Sequence, residues 1–114
     1  MTERPRLPKS GNAYVEEKKI TQYLLYAQHE EGKSKAKFFV NRGFNVDNWN
    51  QFHDALVSQG ISNDVVKTTE TPYGTLYVVE CNCPTPDRSN PCIRTVWELR
   101  QESEQPRLIT AHPM

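Results

Sequence analysis

The octapeptide CIRTVWEL, residues 92–99, alternates strictly in character. Ile93, Thr95, Trp97 and Leu99 fall on one side of an extended chain, and Arg94, Val96 and Glu98 on the other. A period of two with β-branched and aromatic residues is the pattern of a strand with one buried face. Upstream lie two further β-rich runs, DVVKTTE and TLYVVEC, separated by TPYG. Pro at the second and Gly at the fourth position of that tetrapeptide predict a turn, so the two runs should pair as an antiparallel hairpin. Between hairpin and octapeptide, CNCPTPDRSNP carries three prolines and reads as loop. After the octapeptide, QESEQP is a polar turn and RLITA a last short strand.

The period changes toward the N-terminus. In EEKKITQYLLYAQ, Ile20, Tyr23 and Leu24 recur at helical spacing. Ser34 is placed to cap a second, short helix through KAKFFVNR, with Gly43 ending it. Asp47 is placed to cap a third, NWNQFHDALVSQ, ended by Gly60; there Trp49, Phe52 and Leu56 form the apolar stripe. Residues 1–13 hold Pro5, Pro8 and Gly11 among charged groups and read as a flexible N-terminal arm. Residues 14–114 then form a single domain. Helices followed by strands predict an α+β fold, with N-terminal helices packed on one face of a four-stranded antiparallel sheet. The other sheet face is left for water or a ligand.

Composition narrows the function classes. The 114 residues are 36% hydrophobic and 25% charged, with a formal net charge of zero. Such a balance argues against a protein that coats nucleic acid non-specifically, since that binding rests on neutralising many phosphates. It leaves room for an enzyme that grips one or two phosphates. The absence of a long apolar run excludes a membrane helix, and MTERPRLPKSGN lacks the apolar region of a secretory signal. A cytoplasmic location is expected. Cys81, Cys83 and Cys92 in such a chain read as free thiols. Their spacing is not a familiar zinc pattern, and no cofactor motif of the phosphate-loop, dinucleotide or zinc-protease type occurs.

Several residues are candidates for chemistry. In HEEGKSKAKFF, residues 29–39, a His precedes a turn and three lysines follow it. A His titrating near neutrality could transfer a proton while Lys35 holds a phosphate. The plain alternative is a solvated His and a charged helix surface. Lysines at a helix start nevertheless oppose the macrodipole, so their placement costs stability. Arg94 falls on the less apolar face of its strand, where it could meet an anion or form a cross-strand pair with Glu80. Thr95 falls on the apolar face, where a core-edge hydroxyl is the simpler reading. Thr110 and His112 close the chain and could line a cleft. His53 beside Phe52 and Leu56 reads as a partly buried structural His. Tyr73 and Tyr77 could stack on a base or simply cover the sheet.

Taken together, KITQYLLYAQHEEGKSKAKFFVNRGF, VVKTTETPYGTLYVVE, IRTVWEL and PRLITAHP resemble a bacterial family of unknown function. Where that family's pattern has Tyr before the final Pro, this chain has His112. A wider likeness is to the barnase–EndoU–colicin–RelE superfamily of small metal-independent ribonucleases, many of them toxins. That resemblance implies attack of an RNA 2′-hydroxyl on the adjacent phosphate. His29 would transfer the proton, Lys35 and Arg94 would stabilise the phosphorane, and Thr95 or Thr110 would position the phosphate. It also implies RNA (tRNA or mRNA) as substrate and a small antitoxin or immunity protein as partner, with no cofactor and no metal. The competing expectation is a non-enzymatic interaction module, whose partner would bind the open sheet face or an exposed edge strand.

Overall fold

The computed structural model describes residues 6–25 and 33–114. A short helical turn α1 (Glu17–Lys19) runs into a π-helical turn, Ile20–Leu24. It is followed by α2 (Lys33–Val40) and α3 (Trp49–Ser62), then by strands β1 (Val65–Thr71), β2 (Gly74–Asn82), β3 (Cys92–Arg100) and β4 (Arg107–Pro113). The strands form one antiparallel sheet in the order β1-β2-β3-β4. The expected α+β class, with helices preceding a four-stranded antiparallel sheet, is what the chain adopts.

The helices cover one face of the sheet. Phe52 and Leu56 of α3, Phe39 of α2 and Ile20 and Leu24 are all buried there, against Val79, Ile93, Trp97, Leu108 and Ala111. Phe52 sits between two other rings, stacked on Phe44 at 4.4 Å and tilted against Phe39 at 4.8 Å. Each fully buried side chain of this size contributes ~1.5–3 kcal/mol through removal from water. The aromatic geometry adds to that.

Helix boundaries differ from expectation for identifiable reasons. Ser34 lies inside α2, which begins at Lys33, so it is not the cap. Asp47 is not a cap either. Asn45 instead caps the 3-10 turn Val46–Asn48 that leads into α3, in a reciprocal box in which each of Asn45 and Asn48 accepts from the other's backbone N–H, while Asn48, at the N-cap of α3 itself, makes no side-chain cap bond. Gly43, at φ 105°, does end α2 in the left-handed region. Gly60 does not end α3, which continues to Ser62. Its role is clearance: a Cβ at Gly60 would lie 2.7 Å from Cζ2 of Trp97. The glycine is therefore spent on bringing helix and sheet together, and α3 accepts the lower helix propensity.

Residues 6–13, expected to belong to a flexible arm, are docked. Leu7 is only 3% exposed within the core cluster. Arg6 pairs with Asp64 at 3.1 Å, and Lys9 with Glu104 at 2.9 Å. Tyr14 then bridges Arg107 in parallel, giving the β4 edge a short backbone cover. The three free thiols expected from composition are also corrected. Cys81 and Cys92 form a disulfide, and Cys83 alone is free and buried. The β2–β3 register explains it, because Asn82 pairs with Cys92 and Cys81 with Ile93, leaving the two cysteines on a close diagonal. Burial pushes the Cys83 thiol up to about 12, so it is a packing residue rather than a nucleophile.

Candidate functional site

Strand β3 separates its neighbours by face, as its alternation predicts. Thr95 points into the core and is fully buried. Its hydroxyl donates to Oε1 of Gln59 at 2.6 Å and accepts from Nε1 of Trp97 at 2.8 Å. The Gln59 amide nitrogen in turn reaches the carbonyl oxygens of Val79, Cys81 and Ile93 at 3.2–3.3 Å. Two N–H groups are thus shared among three carbonyls. This is a closed buried network, and each group left without its partner would cost ~1–3 kcal/mol. Gln59 carries no signal in the sequence. It lies at a helical position among apolar residues, and its partners come from strands 20 to 36 residues away.

The opposite face is open among the described residues. The register sets Glu80, Arg94 and His112 side by side across β2, β3 and β4. The next row is Lys67, Val78, Val96 and Thr110, and the next holds Leu76, Glu98 and Arg107. Arg94 donates from Nε to Glu80 at 2.7 Å, the cross-strand pair that alternation allows. Its side chain is 49% exposed, and its two terminal amino groups make no hydrogen bond among the described residues. Glu98 accepts from Arg100 at 2.9 Å and from Arg107 at 3.1 Å. The Arg100 hydrogen bond foremost, outweighing burial, holds its carboxyl below the ordinary range. Arg107 also reaches Glu16 at 3.1 Å, so the N-terminal segment is tied to this face.

The candidate residues are therefore distributed. Arg94 and Thr110 share the open face, in adjacent rows, with His112 beside Arg94. Thr110 and His112 are half-buried, and each is engaged in an interaction of its own. Thr95 is on the other face and is not brought together with them. Lys35 is in the first turn of α2, on the helix side, and α2 reaches the sheet at β4. The Lys35 side chain and the whole of His29 lie outside the described residues. Tyr73 is exposed at the hairpin tip, while Tyr77 packs against the core.

Two further features were not read from the sequence. The loop after β2 is organised by Asp87, whose carboxylate accepts from Thr85 and from the Ser89 hydroxyl and backbone N–H at 2.7–3.0 Å. Those bonds, that of Thr85 first, hold its carboxyl below the usual value. The second is a cavity of about 410 Å³ lined by Tyr14, Val15, Trp49, Asn50, His53 and Asp54. It forms only because the N-terminal segment docks beside the start of α3. Among the described residues no cluster of His, Cys, Asp and Glu could hold a metal ion. No described helix is long and apolar enough to cross a membrane.

The architecture is that of a small α+β domain with one helix-covered sheet face and one that is open among the described residues. Within that class, a family model for a domain of unknown function, DUF6883, matches residues 6–114, and the chain belongs to that family. No curated protein matches it. Among solved structures, the chain is similar to one from the contact-dependent growth inhibition toxin–immunity protein complex of Klebsiella pneumoniae 342. The TM-score is 0.67 at 16% identity, over 92% of this chain and 96% of that one. At that identity the likeness is one of fold.

Proposed function

We propose that this domain is a toxin-type ribonuclease that meets its RNA at the open sheet face. The charge of that face carries the reading. A chain of zero formal net charge sets Lys67, Arg94, Arg100 and Arg107 on one surface, against Glu80, Glu98 and the Glu16 that reaches Arg107, with His112 beside Arg94. A local cationic field on a neutral protein suits a polyanion that must be held in register rather than coated. The terminal amino groups of Arg94 suit a phosphate oxygen, since a guanidinium presents paired donors. In the reaction, the RNA 2′-hydroxyl attacks the adjacent phosphorus and the 5′-oxygen leaves. Arg94 stabilises the charge on the phosphorane, and Thr110 hydrogen-bonds the phosphate. His29 takes the 2′-hydroxyl proton and returns one to the leaving 5′-oxygen, and Lys35 adds a second cation; both roles rest on the superfamily resemblance. Thr95 is left out of this assignment, because its hydroxyl is already occupied on both sides. The fold likeness to a chain of a toxin–immunity complex supports the toxin setting and an immunity-type partner.

A second reading, an interaction module without catalysis, is favoured by one observation: Arg94 is already paired with Glu80. Incubating the purified domain with total RNA separates the two. Cleavage should appear with the wild-type protein and fall by at least about 100-fold in His29→Ala and Arg94→Ala, the scale expected for loss of a proton carrier or a charge stabiliser. Intact RNA with the wild-type protein, or undiminished cleavage by both variants, would sink the catalytic reading.

A further inference from the structure

We infer that the cavity between the N-terminal segment and α3 is a nucleobase site, which seats one unstacked base of a single-stranded RNA. The inference rests on the reading of the ligand as RNA and assigns a second contact beyond the sheet face. The cavity's volume, about 410 Å³, lies within the ~300–1,000 Å³ typical of small-molecule sites. Its walls combine flat rings with hydrogen-bonding edges, which is the chemistry a base requires. Tyr14 and Trp49 supply rings, and His53 stands edge-on to Trp49 with centroids 6.4 Å apart. Asn50 offers both a donor and an acceptor, and Asp54 an acceptor.

His53 is oriented for this work. Its Nδ1 lies 3.0 Å from Oδ1 of Asp54. Because the carboxylate can only accept, Nδ1 carries the proton, which leaves Nε2 to face the cavity's ligand as the ring's second hydrogen-bonding atom. The His53 side chain is 28% exposed, so the ring is neither sealed in the core nor free in water. The core does not depend on this pair: the buried apolar residues of α3 are Phe52, Ala55 and Leu56.

Position singles out RNA among ligands with flat rings. Tyr14 lines the cavity, and its backbone is bridged to Arg107. Bridged strands lie ~4.8 Å apart. A nucleic acid strand with one base in the cavity would therefore carry its backbone over the β4 edge toward Arg107 and Arg100. Stacking platforms beside a cationic track are how single strands are held without reading sequence.

The test uses fluorescence, because Trp97 is fully buried and Trp49 is the indole a ligand can reach. A short oligouridine or oligoadenosine made entirely of 2′-O-methyl nucleotides, which cannot be cleaved by 2′-hydroxyl attack, serves as probe beside AMP and UMP. The oligonucleotide should quench Trp49. Trp49→Leu and His53→Ala should each raise its Kd, read in every variant by fluorescence anisotropy of an end-labelled copy of the probe, by roughly 5- to 100-fold, the loss of one stacked base. His53→Ala matters because Trp49 also packs against the core, whereas His53 can be truncated without opening it. Unchanged Kd in His53→Ala and Trp49→Leu, or binding to the wild-type protein without quenching of Trp49, overturns the site. RNA cleavage that persists with normal probe binding in these variants overturns the site and leaves the ribonuclease reading intact. Quenching of Trp49 by AMP or UMP, lost in His53→Ala, from a domain that cuts no RNA upholds the site and removes the ribonuclease reading.

Discussion

Consecutive residues of β3 live in opposite surroundings. Thr95 is sealed beneath α3, with its hydroxyl bonded on both sides. Arg94 lies on the other face, half exposed and paired through one nitrogen. The helix-covered face is built from groups that cannot reach water, so each bond there is worth its desolvation cost. The open face is built from ion pairs whose alternative is solvation, so each is worth little to stability. One face therefore holds the fold, while the other is free to be selected for what it binds.

Removing the largest side chain of the covered face tests this contrast most severely. Trp97→Ala should lower unfolding stability by ~3–5 kcal/mol in urea titrations. A loss below ~1 kcal/mol would mean that the indole is not the keystone of the helix–sheet contact. Thr95→Val, of nearly the same shape, should cost ~1–3 kcal/mol for each of the two groups it orphans, Oε1 of Gln59 and Nε1 of Trp97. If it proves neutral, water or relaxation has satisfied those groups and the buried network is not cooperative.

On the open face the same kind of change should be nearly silent in stability. Glu80→Gln should shift unfolding by less than ~1 kcal/mol, and freeing Arg94 should strengthen oligonucleotide binding. A large loss of stability there would erase the distinction between the faces. The smallest effect concerns pH. The Glu98 carboxyl is held below its ordinary value of 4.5, first by its Arg100 hydrogen bond. A carboxylate depressed in the folded state stabilises the fold above the unfolded value, and that stability is lost as pH falls through the folded value. Glu98→Gln should thus flatten the decline in melting temperature below about pH 4.5, leaving the neutral range nearly unchanged. An unaltered acid limb would show that Glu98 is not what pairing with the two arginines protects.

The elements and their order were legible because they rest on local periodicity. The alternation of residues 92–99 gave the faces of Arg94 and Thr95 correctly, including the cross-strand option with Glu80. The candidate site was less legible. A single strand says which face a residue occupies, but not which residue of a neighbouring strand lies beside it. Arg94 meets His112, and Glu98 meets Arg107, because of the β3–β4 register and the bulge between Val96 and Trp97. Neither is a local property.

By itself, then, the sequence determined the α+β class, the strand alternation and the hairpin at residues 71–74, since sterics and solvent act on near neighbours along the chain. Only the tertiary structure decided that Gln59 closes the Thr95–Trp97 network, that Gly60 makes room for an indole, and that Cys81 joins Cys92. It also decided that the N-terminal segment completes a cavity with Trp49 and His53. Those contacts join residues far apart in the chain, and they exist only once register and docking have been set by the packing of the whole core.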